Sequence, residues 1–290
     1  MTAAGHWPNA PLITAGELAE IIAEGSALLF DCRFDLKHPA QGRDSWLSAH
    51  IPGALYAHLD QDLSGPLTGD SGRHPLPQAV SFASFLARSG YRPDKKVIAY
   101  DAQGGAFAAR LWWLMHYFGL GRTALLDGGI GAWVAAGYPV ESGEVSAKPR
   151  PLPRLQPQRE MTLDAHAVRD GLESGVIQLL DARADNRFRG EDETIDAVAG
   201  HVPGAINRPF QSNLDEAGRF RPPAELRDGF RKILGKRGPE QVVHMCGSGV
   251  TACQSLLAME LAGLPGSRLF PESWSGWISD RRRPVALGQD

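Results

Sequence analysis

The sequence contains only three cysteines, Cys32, Cys246 and Cys253, in 290 residues. So few cysteines exclude a disulfide framework, and no Cys-x-x-Cys pair or histidine cluster has the spacing of a metal site. We therefore expect no bound metal and a reducing compartment. In such a compartment a free cysteine is either a small buried apolar residue or a reactive one.

The sequence also lacks an excess of positive charge and any long apolar run. Lysine and arginine total 30 against 33 aspartate and glutamate residues, for a net charge of -3. This balance provides no field that would hold nucleic acid or an anionic membrane surface. No segment approaches the roughly 18 apolar residues of a membrane span, and residues 1–9 lack the pattern of a signal peptide. We expect a cytoplasmic protein with no nucleic-acid partner and no membrane contact.

What the sequence does contain is a long internal repeat. Four segments of the first half recur in the same order, 144 to 151 positions further along. The pairs are residues 28–33 with 179–183, 50–55 with 201–206, 97–101 with 242–246, and 128–133 with 272–277. Since the chain is long enough for two domains of ordinary size, the repeat predicts two halves with the same topology.

A proline-rich stretch separates these halves. Residues 141–160 contain Pro149, Pro151, Pro153 and Pro157, which is too much proline for a helix or a central strand. We predict an N-terminal domain over residues 1–140, a linker over 141–160 and a C-terminal domain over 161–290.

Each half alternates short apolar runs with helical periodicity. The runs at 27–30, 97–100, 177–180 and 242–245 are apolar on both faces, which is typical of parallel strands covered by helices. Thr14 and Thr162 are predicted to cap the first helix of each half. The fold class is therefore α/β, with a small parallel sheet covered by helices in each half.

Cys246 begins a glycine-rich loop at the carboxyl end of a predicted strand, where α/β sheets bind their ligands. Gly247 and Gly249 allow the backbone to curl and turn its N–H groups inward, and a helix-like run follows. Such a nest of amides stabilises a thiolate. Cys246 is thus the candidate nucleophile, whereas the corresponding residue of the first half, Asp101, cannot carry a transferable sulfur.

This loop has two other interpretations. An isolated Cys-Gly pair is more typical of a buried cysteine before a turn, but the loop composition and the repeat favour chemistry here. A cysteine phosphatase needs an arginine six residues after the cysteine, and Ala252 stands there. Without that guanidinium, phosphate-ester chemistry is disfavoured.

The motifs together resemble the two-domain rhodanese family over nearly the whole chain. The resemblance lies in the His-x-Pro-Gly-Ala motifs at His50 and His201, in residues 109–113, and in residues 127–129 with Trp133. It implies two tandem rhodanese-like domains, of which the N-terminal one is non-catalytic. The loop at residues 246–252 is similar to the branch that uses 3-mercaptopyruvate. The thiosulfate branch commonly has basic residues where this chain has Ser248 and Gly249.

The resemblance also implies roles for site residues. In the mercaptopyruvate branch a loop serine, a histidine and an aspartate form a relay near the sulfur, and Ser248, His74 and Asp60 match them, with Asp62 as an alternative to Asp60. Arg187 matches an arginine that holds the donor carboxylate. The loop residues that would surround the donor are Gly247, Gly249, Val250 and Thr251.

One departure from the family pattern concerns a second substrate arginine. The mercaptopyruvate branch usually has it nine residues after the first, but residues 191–200 contain no arginine. Arg43, Arg183 and Arg189 are possible replacements. Each of them is equally well read as a surface charge or an ion-pair partner.

The resemblance implies a sulfurtransferase that carries sulfane sulfur as a Cys246 persulfide and needs no metal or organic cofactor. The donor would be 3-mercaptopyruvate, with release of pyruvate, and the acceptor a thiol, cyanide or a thioredoxin-like dithiol. One alternative is a thiosulfate sulfurtransferase that uses the same cysteine. Another, of a different class, is a non-catalytic rhodanese-like pair that binds a partner protein.

Overall fold

The structure, a computed structural model, describes residues 11–289. Its first half consists of β1 (Leu12–Ile13), α1 (Ala15–Ala23), β2 (Ala27–Asp31), α2 (Gln41–Ser48), β3 (Leu55–Tyr56), α3 (Ala79–Arg88), β4 (Lys96–Tyr100), α4 (Ala108–Tyr117), β5 (Thr123–Leu126) and α5 (Gly129–Ala135). Its second half consists of α6 (Ala165–Glu173), β6 (Gln178–Asp181), α7 (Asp185–Arg189), β7 (Ile206–Asn207), α8 (Pro223–Leu234), β8 (Val242–Met245), α9 (Ala252–Leu261), β9 (Arg268–Leu269) and α10 (Ser273–Trp277). Short 3₁₀ helices lie at Arg159–Met161, Phe210–Asn213 and Pro239–Gln241.

Two parallel sheets form the framework, as the apolar runs predicted. The first has the strand order β1-β5-β4-β2-β3 and the second the order β7-β6-β8-β9. Asp31 of β2 pairs with Tyr100 of β4, and Asp181 of β6 pairs with Met245 of β8. The residues that follow, Asp101 and Cys246, therefore occupy the same position at the carboxyl edge of their sheets. The α/β class and its duplication are confirmed.

One of the two predicted helix caps is correct. Thr14 caps α1, since its Oγ1 accepts from the N–H of Glu17 at 3.2 Å and the Glu17 carboxylate accepts from the N–H of Thr14 at 2.7 Å. The prediction for Thr162 is wrong. The N-cap of α6 is Asp164, whose carboxylate accepts from the N–H of Ala167 at 2.8 Å. Thr162 instead pairs with Leu269 in a parallel bridge, which requires extended backbone.

The proline-rich stretch contains no helix and no strand between the end of α5 and the 3₁₀ helix at Arg159–Met161. Its contacts are with the first half. Glu141 forms an antiparallel bridge with His50, and the N–H of Arg150 donates to the carbonyl of Ala87 at 2.8 Å. The boundaries proposed above, 140 and 160, stay a prediction.

Helices α4 and α9 meet between the halves, and one apolar core includes side chains of both. Trp112 and Trp113 of α4 are buried in it, together with Cys32 and Cys253. Cys246 lies at the edge of this core. No helix within residues 11–289 is both long enough and apolar enough to span a membrane.

Candidate active site

The Cys246 loop is fixed by the helix that faces it. The N–H of Cys246 donates to Oγ of Ser273 at 3.1 Å, and its carbonyl accepts from the N–H of Trp274 at 3.0 Å. The N–H of Ser275 donates to the carbonyl of Gly247 at 2.9 Å. Cys246 is only 2% exposed. The first turn of α10 thus holds Cys246 in place, and the burial of Cys246 leaves little of it open to water.

The loop backbone presents a set of unused donors. Gly249 has φ of 76°, and a Cβ there would collide with the carbonyl of Pro271, so only glycine fits. Within residues 11–289, the N–H groups of residues 247–251 find no acceptor in the protein. Most of this loop is buried, and buried N–H groups are almost always hydrogen-bonded, to the protein, to water or to a ligand. The loop can therefore stabilise a thiolate or another anion.

The corresponding loop of the first half is closed by its own side chain. The carboxylate of Asp101 accepts four backbone N–H groups at 2.8 to 2.9 Å. These belong to Gln103, Gly105, Phe107 and Ala108. An internal carboxylate fills the place where an anion would bind in the second half. The first half therefore has neither a thiol nor a free nest at this position.

Ser248, His74 and Asp60 form a continuous hydrogen-bonded chain across the two halves. Nδ1 of His74 lies 2.6 Å from Oγ of Ser248, and Nε2 lies 3.1 Å from Oδ1 of Asp60. A carboxylate only accepts, so Nε2 carries the proton and Nδ1 accepts from the Ser248 hydroxyl. The structure thus brings the three residues together in one chain.

The ionisation of this chain follows from its surroundings. Burial lowers the pKa of His74 below its ordinary value of 6.5, although the hydrogen bond to Asp60 acts in the opposite direction. The hydrogen bond to His74 lowers the pKa of Asp60. At neutral pH the arrangement is a neutral imidazole beside an ionised carboxylate, and His74 is able to take up a proton.

Asp62, the alternative to Asp60, has different partners. Its carboxylate accepts from the N–H of His58 at 2.8 Å and forms an ion pair with Arg88. Burial raises its pKa. The structure therefore places Asp60, and not Asp62, on the imidazole of His74.

Arg110 of α4 supports the site from behind, a role that the sequence did not reveal. It is fully buried, and it donates to the carbonyls of Gly249 at 3.1 Å, His74 at 3.0 Å and Leu63 at 3.3 Å. Burial lowers its pKa. One guanidinium therefore joins the Cys246 loop to the His74 segment.

Arg187, on α7, is held by two buried carboxylates. Its Nε donates to Glu193 at 3.0 Å, and its Nη2 donates to Glu193 at 2.9 Å and to Asp196 at 2.8 Å. Both Nη atoms lie 3.7 Å from the position that a Cβ at residue 247 would occupy. Arg187 is therefore fixed close to Gly247, the residue that follows Cys246.

None of the three suggested replacements for the second arginine reaches the loop. Arg183 is buried against Asp181, at 2.7 Å, and Arg189 and Arg43 form surface ion pairs with Glu191 and Glu144. The arginine that lies there is Arg73, whose Nη2 is 2.8 Å from the same Cβ position. Arg73 immediately precedes His74 in the sequence, and this adjacency is the sequence signal that could have identified it as a site residue.

The other predicted loop residues line the turn in different ways. Val250 is buried in the core shared by the two halves, and Thr251 stands immediately before α9 and is half-buried. Gly247 lies beneath the two guanidinium groups. Within residues 11–289 no cluster of His, Cys, Asp and Glu side chains is suited to hold a metal ion.

The fold and the site define a duplicated α/β protein with a single cysteine loop at the boundary between its halves. Comparison with known families identifies it further. The rhodanese-like domain matches residues 14–136 and 164–280. The chain belongs to the rhodanese family, with two copies of its domain.

Three relatives show where the chain lies within that family. It is 47% identical to the "Probable 3-mercaptopyruvate sulfurtransferase" of Pseudomonas aeruginosa, over 97% of this chain and 99% of the relative. It is 39% identical to the "Putative thiosulfate sulfurtransferase SseB" of Mycobacterium tuberculosis, over 96% and 97% of the two chains. The solved 3-mercaptopyruvate sulfurtransferase of Leishmania major superimposes with a TM-score of 0.83 at 29% identity, over 97% of this chain and 77% of that one.

Proposed function

We propose that this protein is a sulfurtransferase that moves sulfane sulfur from 3-mercaptopyruvate to a thiol or cyanide through a persulfide on Cys246. The observation that supports it best is the chain from Ser248 through His74 to Asp60, with separations of 2.6 and 3.1 Å. It links the imidazole of His74, which can accept a proton, to Ser248, which stands two residues after Cys246 in the same loop. The 47% identity to a relative of that name supports the same donor.

In the first half-reaction the Cys246 thiolate attacks the thiol sulfur of the donor. A sulfur–sulfur bond forms, the carbon–sulfur bond breaks, and its electron pair leaves on carbon as the enolate of pyruvate. The thiol proton of the donor passes through the Ser248 hydroxyl to Nδ1 of His74, so the product on the protein is the ionised persulfide Cys–S–S⁻. The enolate then takes up a proton and leaves as pyruvate. The N–H groups of residues 247–251 are available during this step to stabilise negative charge on the sulfur atoms.

In the second half-reaction an acceptor removes the outer sulfur. A thiolate that attacks it becomes a persulfide, and cyanide becomes thiocyanate; in both cases Cys246 is returned as the thiolate. We propose a thioredoxin-like dithiol as a further acceptor. The outer sulfur is itself the electrophile, so neither step requires a metal or an organic cofactor.

The relay supplies the proton that the enolate needs. Ser248 lies between the loop and His74, so its hydroxyl can pass the thiol proton of the donor to the neutral imidazole and then return that proton from the imidazolium to the enolate carbon. Asp60 orients the ring and stabilises its charged form when a proton passes through it. Asp60 and His74 come from the first half and Ser248 from the second, so the relay exists only in the assembled interface.

This arrangement predicts a pH effect for Asp60→Asn. The hydrogen bond to Asp60 raises the pKa of His74, against the larger lowering by burial. Loss of that carboxylate therefore lowers the pKa of His74 further, and the acidic limb of kcat/KM moves to lower pH. The plateau falls by roughly tenfold or more, because proton transfer is less favourable.

The measurement is a pH profile of kcat/KM from about 5 to 9, a range that covers histidine titration. Asp62→Asn is the matched control. Asp62 contacts His58 and Arg88, so its loss is expected to leave the acidic limb where it is. An acidic limb that moves with Asp62 and not with Asp60 would contradict the role given to Asp60.

The choice of donor is tested by comparing the kcat/KM values of mercaptopyruvate and thiosulfate. When thiosulfate gives up its outer sulfur, sulfite leaves and needs no proton. The relay therefore assists only the reaction of mercaptopyruvate, in which the leaving enolate must be protonated on carbon. We expect mercaptopyruvate to be preferred by on the order of 100-fold, the scale of general acid catalysis. A preference for thiosulfate would instead assign the activity named for the Mycobacterium tuberculosis relative.

A further inference from the structure

Two guanidinium groups, from opposite halves of the molecule, approach Gly247. A Cβ at this residue would lie 2.8 Å from Nη2 of Arg73 and 3.7 Å from both Nη atoms of Arg187. The φ of Gly247 is outside the left-handed region, so the close approach of these groups, and not the backbone conformation, requires glycine. The two arginines converge on the residue that follows the nucleophile.

A single buried carboxylate holds both arginines. Asp196 is 3% exposed at its side chain; it accepts from Nη2 of Arg187 at 2.8 Å and forms an ion pair with Nη1 of Arg73. Glu193 occupies the Nε edge of Arg187 at 3.0 Å. Asp196 stands nine residues after Arg187, at the position where the family pattern led us to expect an arginine. The second guanidinium therefore comes from the other half of the chain, and the carboxylate here anchors it.

Within residues 11–289, each guanidinium has one Nη group that donates to no protein acceptor. Within the described part of the chain, Nη2 of Arg73 and Nη1 of Arg187 have no hydrogen-bond acceptor. Both side chains are partly exposed, at 28% and 17%, while the carboxylates behind them are buried. The carboxylates neutralise the charge of the two arginines. The arginines therefore offer a ligand directed N–H donors and not a net positive field. Donors fixed in this way suit a planar anion with several oxygens.

We propose that Arg73 is the second arm of a clamp that, with Arg187, binds the carboxylate and ketone oxygens of a 2-oxo acid donor above Gly247. This inference rests on the proposed function and names the residue that recognises its donor. Arg73 precedes His74, and its N–H donates to Oγ of Ser275 at 3.0 Å. One segment of the first half therefore carries both donor recognition and the proton relay into the second half.

The test is Arg73→Met. Two constants are measured: the Michaelis constant of the mercaptopyruvate donor and the inhibition constant of pyruvate, which shares the carboxylate and the ketone. We expect both constants to rise by about 10- to 100-fold, the scale of a lost charge-assisted hydrogen bond. The rate at which neutral iodoacetamide alkylates Cys246 is expected to change less than about threefold. A purely structural ion pair would alter that rate or the unfolding midpoint and leave the pyruvate constant in place.

Arg73→Met removes one of the two guanidinium partners of the buried Asp196, which keeps Arg187, so Arg73→Met/Asp196→Asn accompanies it. The double variant is expected to unfold close to the wild-type urea concentration and still to show raised constants. Arg43→Met removes an arginine from a surface ion pair and is expected to change neither constant. The inference would be overturned if both constants stayed within threefold of wild type in the two Arg73 variants while Arg187→Met raised them. A wild-type protein inhibited by pyruvate but inactive with mercaptopyruvate would instead refute the proposed donor alone.

Discussion

Cys246→Ser is expected to lower kcat/KM with mercaptopyruvate by about 10⁴-fold or more, the scale of removing a catalytic nucleophile. A serine hydroxyl is not ionised at neutral pH and cannot form a persulfide. The first half offers no substitute, because Asp101 stands at the equivalent position and its carboxylate occupies the local amides. The measurement is steady-state release of pyruvate with a thiol acceptor.

Cys32→Ala is the control for this substitution. Cys32 is buried in the core shared by the two halves, where burial raises the pKa of its thiol well above the ordinary value of 9.0. A protonated, buried thiol is a poor nucleophile, so this variant is expected to keep its activity. Turnover by Cys246→Ser within tenfold of wild type would show that another group carries the sulfur.

Arg110→Met is expected to reduce both stability and activity. The substitution leaves the carbonyls of His74 and Leu63 without their donor in a buried location, and the carbonyl of Gly249 keeps only the weakly donating thiol of Cys253 at 3.3 Å. Since each buried unsatisfied group costs about 1 to 3 kcal/mol, the free energy of unfolding should fall by about 3 kcal/mol or more. The value of kcat should fall by roughly 100-fold, because the thiol loop and His74 lose their common support.

Urea unfolding and single-turnover kinetics measure the two effects of Arg110→Met. Arg110→Lys, which keeps the charge but cannot reach three carbonyls at once, is expected to recover part of the stability and little of kcat. Arg92→Met removes an exposed ion pair with Asp94 and should change stability by less than about 1 kcal/mol. An Arg110→Met protein that unfolds like wild type and keeps its kcat would contradict the supporting role.

The fold could be predicted from the sequence because it is encoded twice. Apolar runs of four or five residues at matching positions indicated parallel strands, and the strand registers of Asp31 and Asp181 confirm the match. The error at Thr162 shows where such reasoning fails. Thr162 and Asp164 are both good N-cap residues, and a tertiary contact, the bridge from Thr162 to Leu269, decided between them.

The site was only partly predictable, and the reason is the domain interface. Cys246 followed from its loop and from the repeat, whereas His74 and Asp60 were selected through the family resemblance. Arg73 and Arg110 act across the interface, on Gly247 and Gly249 of the other half. Pairs so far apart in the chain leave no local spacing to detect, and carbonyl acceptors such as those of Arg110 exist only once the chain has folded.

The central claim is that Cys246 itself carries the sulfur, and the mass of the intact protein tests this most directly. After incubation with mercaptopyruvate without an acceptor, the protein should gain about 32 Da, one sulfur atom, as a persulfide. The gain should map to the peptide that contains Cys246, match one pyruvate released per chain, and disappear on addition of cyanide. An unchanged mass with no pyruvate released would contradict the account and favour a non-catalytic rhodanese-like pair.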